Sequence, residues 1–145
     1  MLSTHLKGNI QFQEHVDSWE DSIKQAATPL LEGGNITSQY IDDMINNVNE
    51  NGPYIVIVPG FALPHAKNDG AVLKTGISLL KLKQPVKYPE EKEVSILVVL
   101  AAEDSDGHLD LISDLSSLLM DDEIMEQFRN ASSEEEIIEL INQAE

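Results

Sequence analysis

The spacing of apolar residues along this chain switches between a helical and a strand period, and the switches mark its elements. "NIQF" at 9–12 fits a short strand. In "DSWEDSIKQAATPLLEGG" the residues Trp19, Ile23, Ala27 and Leu30 fall on one helical face. Asp17 and Glu20 stand at capping-box spacing, Gly33-Gly34 supplies the stop, and Pro29 near the end predicts a kink. A second helix opens at Thr37, buries Tyr40, Ile41, Met44, Ile45 and Val48, and closes at Gly52-Pro53.

Strand patterns follow. "YIVIV" at 54–58 is wholly apolar, as expected of a strand covered on both faces. "TGISLLKLKQ" at 75–84 ends in alternation, and "VSILVVL" at 94–100 is again apolar on both sides. The last third reads as helical: "HLDLISDLSSLLM" with Leu109, Ile112, Leu115, Ser116 and Leu119 along one side, then "DDEIMEQFRN", then "SSEEEIIELIN" with a second capping box. The predicted order is β-α-α-β-β-β-α-α-α. Doubly buried strands need helices above and below, so the expectation is an α/β fold, a three-layer α/β/α sandwich. "KNDGA" is too short for a helical crossover and "QPVKYPEEKE" reads as a loop, which predicts a mixed sheet. No repeat or linker interrupts residues 1–145, so a single domain is expected.

Composition changes this picture in two respects. The 26 acidic residues outnumber the 9 basic ones, giving a net charge of −17. Such a surface repels nucleic-acid phosphates and anionic lipid and steers toward a protein with a basic face. The chain has no cysteine, which excludes thiolate catalysis, zinc–cysteine sites and iron–sulfur clusters. "MLSTHLKGN" lacks a signal-peptide core and the longest apolar run is too short to span a bilayer, so a soluble, cytoplasmic protein is expected, without membrane insertion.

The candidate chemistry lies with four histidines. His5 and His15 sit in polar surroundings and read as surface imidazoles. His65 and His108 each follow a strand, where ligands collect in open α/β sheets. If the two strands are parallel neighbours, both imidazoles reach one edge. His108 opens a helix, where the positive helix end disfavours imidazolium and spare N–H groups suit an anion. A neutral His65 could then act as a nucleophile for phosphoryl transfer, with Lys67 adding local positive charge. Structural histidines at loop ends are the competing reading. Zinc held by His65, His108 and Asp106 is a third, although no HExxH pair is present. "DSDGHLD" lacks the glycine and glutamate positions of a calcium loop, and no GxSxG, Walker or GxGxxG motif occurs.

"PGFALPHA" narrows the choice. Gly60, Ala62, Leu63, Pro64, His65 and Ala66 closely resemble the active-site signature of the mannitol/fructose class of enzyme IIA, the EIIA type-2 domain of the bacterial phosphoenolpyruvate-dependent sugar phosphotransferase system. "TGISLLKLKQPV" resembles the strand that follows that site, and "AAEDSDGHLDLISDLSSLL" the segment bearing the family's second histidine. "NVNENGPYIVIVPGFALPHA" and "ISLLKLK" look most like the ascorbate-type members.

The resemblance implies that His65 accepts a phosphoryl group from phosphohistidine on the carrier HPr, on one of its two ring nitrogens. The group would then pass to a cysteine of an enzyme IIB protein, which serves a membrane enzyme IIC. His108 would stabilise the phosphate, and no cofactor or metal is implied. With no cysteine here, the IIB component is expected to be another protein. The pattern departs at Asn49: mannitol-type members carry an arginine at that place, sixteen residues before the histidine, whereas the first arginine here is Arg129. A phosphorylation-dependent regulatory module without dedicated transport is the alternative function.

Overall fold

The computed structural model describes residues 2–144; the side chains of Ser105, His108 and Ala144 lie outside the described set. The elements run α1 (Leu2–Leu6), β1 (Ile10–Gln13), α2 (Trp19–Glu32), α3 (Ser38–Asn51), β2 (Val56–Val58), β3 (Gly60–Ala62), β4 (Gly76–Tyr88), β5 (Lys92–Ala101), α4 (Ser105–Leu119), α5 (Asp122–Asn130) and α6 (Glu134–Ala144). The five strands form one sheet in the order β1-β4-β5-β3-β2. β1 runs parallel to β4 and β3 parallel to β5, whereas the β4–β5 and β2–β3 pairs are antiparallel, so the sheet is mixed.

Period-two alternation along the central strands builds two cores. Leu97, Val99 and Ala101 of β5 join Leu80 and Leu82 of β4 beneath α2 and α3, where Ile23, Leu30, Tyr40 and Met44 are buried. Ile96, Val98 and Leu100 point the other way, with Ile77 and Leu79, against α1, α4, α5 and α6. This is the expected three-layer α/β/α sandwich. Among the described residues no helix is long and apolar enough to cross a membrane.

Several boundaries differ from the sequence reading. The five-residue α1 carries too little periodicity to be read, and it leaves His5 half-buried rather than on the open surface. The α2 cap is Ser18, whose Oγ accepts from Asp21 N at 3.2 Å, so the capping position is one residue later than Asp17. Thr37 is the N-cap of α3 but makes no side-chain capping bond. "QPVKYPEEKE" is no loop: β4 continues through Tyr88 and turns into β5 over Pro89–Glu91. Helix α4 buries Leu111, Leu115, Leu118 and Leu119, which leaves Leu109 64% exposed.

"YIVIV" differs most. Only Val56–Val58 is strand, and it lies at the sheet edge with Ile57 45% exposed. The chain reverses at Pro59-Gly60 and returns as β3, and it is β3 that lies parallel to β5. Gly60 turns the hairpin with φ +86°, a left-handed conformation that L side chains adopt at a cost. A Cβ there would meet its nearest neighbour at 3.8 Å, so conformation rather than space selects glycine.

Gly60→Ala is therefore expected to lower unfolding free energy by about 1–2 kcal/mol, the cost of a left-handed backbone with a Cβ. Urea denaturation measures it; an unchanged midpoint would show that the hairpin does not depend on this conformation.

Candidate functional site

Three segments converge at the carboxyl ends of β3 and β5. Ala66, Lys67 and Asn68 come from the stretch after β3, and Ala102, Glu103 and Asp104 from the stretch after β5. Asn47 of α3 and Tyr54 complete a cleft of about 590 Å³ that His65 lines. The parallel β3–β5 pairing puts these ends at one sheet edge, where side chains can face a ligand.

The His65 loop is held by its backbone neighbours. Leu100 N donates to Pro64 O at 3.0 Å, which extends the β3–β5 pairing beyond the strand. The buried Tyr40 hydroxyl accepts from Ala66 N at 3.0 Å and donates to Leu100 O at 2.5 Å. One phenol thus ties α3, the site loop and β5 together. Asn68 fixes the following turn: its side-chain oxygen accepts from Gly70 N at 2.9 Å and Val72 N at 3.1 Å, and its amide donates to Glu103 O at 2.9 Å. Thr75 and Glu103 exchange reciprocal bonds of 3.1 Å across the starts of the adjoining segments.

The imidazole itself is oriented. His65 Nδ1 lies 2.5 Å from Leu63 O. A carbonyl can only accept, so Nδ1 carries the proton, and in the neutral ring the lone pair resides on Nε2. The Tyr54 ring meets the His65 ring edge-on, with centroids 5.6 Å apart and planes at 86°. The Tyr54 hydroxyl lies 3.5 Å from His65 O, with the Asn47 side chain beside it. An imidazole held in one tautomer at a cleft can serve as a nucleophile or a proton carrier.

The other sequence-derived candidates fall as follows. Lys67 is exposed and lines the cleft beside His65. His108 occupies the first turn of α4, directly after the β5 end, and its side chain lies outside the described residues. The helix-end donors are not all available to an anion, because Asp104 caps α4 and accepts from Gly107 N at 2.7 Å. Asp106 is exposed in the same turn, and among the described residues no three metal-ligating side chains stand together. His15 is exposed and distant in sequence from every cleft segment. Asn49 is exposed on α3, while Asn47 lines the cleft.

Sequence reasoning passed over Tyr40, Asn47, Tyr54 and Asn68. Tyr40 was legible only as a core position, and Tyr54 only as the start of an apolar run. Asn-Asp-Gly at 68–70 is a turn sequence, but nothing in it shows that the asparagine side chain builds the turn.

Comparison with known proteins gives one consistent result. Residues 5–144 match the family model described as phosphoenolpyruvate-dependent sugar phosphotransferase system, EIIA 2. The chain is 38% identical over 125 residues to the mannitol-specific cryptic phosphotransferase enzyme IIA component of Escherichia coli strain K12, covering 86% of this chain and 85% of that one. A solution structure of the Escherichia coli protein of that description superposes with a TM-score of 0.90 over 98% of both chains, at 35% identity. The ascorbate-specific EIIA component of Escherichia coli strain K12 is 31% identical over 137 residues, 92% of this chain and 89% of that one. At 24% identity, which carries the fold alone, the Escherichia coli mannitol IIA in a complex with phosphorylated IIB matches with a TM-score of 0.82, over 93% of this chain and 94% of that one.

The tyrosines, Tyr40 and Tyr54 beside this site and Tyr88 at the far end of β4, give the fold an alkaline signature. Burial raises Tyr40 from its ordinary value of 10.0 to about 12, and burial raises Tyr54 and Tyr88 as well, so all 3 tyrosines shift the same way. The folded state holds these protons more tightly than the unfolded chain. Their contribution to stability is therefore complete below pH 10 and is lost as pH rises through the folded values. In a pH titration followed by phenolate absorbance and circular dichroism, Tyr40 and Tyr88 are expected to ionise only as secondary structure is lost. Two or more phenolates near pH 10 in an intact fold would contradict this.

Proposed function

Because the chain belongs to the EIIA type-2 family of the phosphoenolpyruvate-dependent sugar phosphotransferase system, we propose that it is a phosphoryl carrier whose acceptor is His65. The observation that carries this reading is the hydrogen bond from His65 Nδ1–H to the Leu63 carbonyl, at the end of a strand and on a cleft. It puts the nucleophilic lone pair on Nε2 before any partner arrives, so the ring need not be reorganised in the transfer step.

In the proposed reaction, the Nε2 lone pair attacks phosphorus of phosphohistidine on HPr. The new N–P bond forms as the donor's N–P bond breaks, and the donor imidazole recovers its electron pair. In the second transfer a cysteine thiolate of an enzyme IIB attacks the same phosphorus, and the Nε2–P bond breaks. Membership of the family supports IIB as the recipient's class, since a family member, the Escherichia coli mannitol IIA, forms a complex with phosphorylated IIB. IIB would then serve a membrane enzyme IIC. The proposed reaction would run in the cytoplasm, with residues 1–145 acting as one EIIA type-2 domain.

A phosphoryl group adds about −1.5 to −2 charges, by analogy with other phosphorylated side chains. Among the described residues Lys67 is a cation lining the cleft and would offset it, and His108 of the α4 turn is proposed to share its oxygens. Glu103 and Asp104 on the same cleft oppose the group, which favours passing it on over retaining it. The net charge of −17 suits a basic docking face on HPr. For the carbohydrate we propose ascorbate, on the likeness in the segment leading to His65; the 38% and 31% identities leave mannitol-type transport as the competing assignment.

The test is intact mass after incubation with phosphoenolpyruvate, enzyme I and HPr. Wild type is expected to gain one acid-labile phosphate, His65→Ala none, and His108→Ala a reduced amount. The phosphoprotein should discharge faster onto an ascorbate-type IIB than onto a mannitol-type IIB. No phosphate on wild type, or phosphate on His65→Ala, would refute the assignment.

A further inference from the structure

Tyr54 is an aromatic side chain that remains 45% exposed, so core packing does not account for its position. Its backbone is nevertheless fixed. Gly52, at φ +81°, ends α3 and receives the Tyr54 N–H bond at 2.9 Å, and Val56 N closes the next turn onto Pro53 O at 3.1 Å. Leu63 N then donates to Ile55 O at 2.9 Å. The residue after Tyr54 is thus bonded to the same residue whose carbonyl takes the His65 Nδ1–H.

The side chain is fixed as well. Its ring lies edge-on to the imidazole at 5.6 Å and 86°. Its hydroxyl is placed between His65 O, at 3.5 Å, and the Asn47 side chain on α3. Rotation of a histidine about its last torsion is intrinsically broad and roughly two-fold. One hydrogen bond at Nδ1 defines a direction, and a ring standing against the imidazole restricts rotation about it.

We infer that Tyr54, with Asn47 beside its hydroxyl, is a positioning residue that holds the His65 imidazole in the Nδ1–H, Nε2-nucleophile orientation. The inference rests on the proposed role of His65. Tyr54 transfers no proton and no phosphoryl group. It raises the fraction of rings whose Nε2 lone pair is aligned for in-line attack when the donor docks. An edge-on aromatic contact biases a ring orientation by up to about tenfold.

The experiment compares wild type with Tyr54→Ala, Tyr54→Phe and Asn47→Ala. NMR of the imidazole nitrogens gives the Nδ1–H tautomer fraction of His65 in the unphosphorylated protein. Kinetics with phospho-HPr separate kcat from KM, and Tm monitors the fold. Tyr54→Ala is expected to lower the Nδ1–H fraction and to reduce kcat by about fivefold to tenfold, with KM little changed. Tyr54→Phe keeps the ring and should retain at least about half the rate, with Asn47→Ala between the two.

A wild-type tautomer fraction and rate in Tyr54→Ala would overturn the inference. So would a loss confined to KM, which would make Tyr54 a docking contact, or a Tyr54→Phe rate as low as that of Tyr54→Ala. Should Tyr54→Ala unfold, the Phe and Asn47 variants decide by the same measurements. If wild type accepts no phosphate, the role of His65 fails, while the tautomer fractions still decide whether Tyr54 orients the ring.

Discussion

The parallel pairing of β3 with β5 is the constraint on which the site depends. Two strands running the same way end at the same edge, so the segments after each are delivered side by side. The pairing survives past the strands because Leu100 N bonds Pro64 O and the Tyr40 hydroxyl bridges Ala66 and Leu100. Had β3 lain antiparallel to β5, His65 and Glu103–Asp104 would have emerged at opposite ends of the sheet. The short β2–β3 hairpin, turned by Gly60, gives β3 its direction.

From that edge inward, the backbone on both sides of His65 and the imidazole itself are held by specific neighbours. Pro64 is buried and restricts the residue before it, which helps aim the Leu63 carbonyl at Nδ1. Tyr40 secures the backbone after the histidine, and Asn68 secures the turn beyond. Such a site is rigid in its frame while the cleft stays open, which suits a residue that two large partners are proposed to reach in turn. The acidic surface would act at longer range, by steering the proposed basic partner toward the molecule rather than by holding phosphate.

Legibility in the sequence tracked how much of an element's pattern was set by its own residues. β5 was readable because an apolar run through Ala102 is buried on both faces, and the structure divides it between two cores. "YIVIV" has the same composition, but burial there depends on whether a further strand covers it, and none covers β2 at the sheet edge. β4 was cut short at Gln84 because Pro85 and the alternating lysines look like a loop, although pairing with β5 carries the strand to Tyr88. The site's location followed from residues after strands. Its supports did not, because the partners of Tyr40, Tyr54 and Asn68 are set by tertiary approach across 26, 11 and 35 positions. The anion-binding expectation at α4 failed in part for a local reason: Asp104 takes a donor for its own cap.

The proposed role of His65 has Nε2 as the nucleophilic nitrogen, because the Leu63 carbonyl takes the Nδ1–H. The most direct measurement is the phosphorus–nitrogen coupling pattern in the NMR spectrum of the phosphorylated, nitrogen-labelled protein. Coupling to Nε2, with Nδ1 still protonated toward Leu63, is the expected outcome. Phosphorus on Nδ1 would require the Leu63 hydrogen bond to break before transfer, and would contradict it.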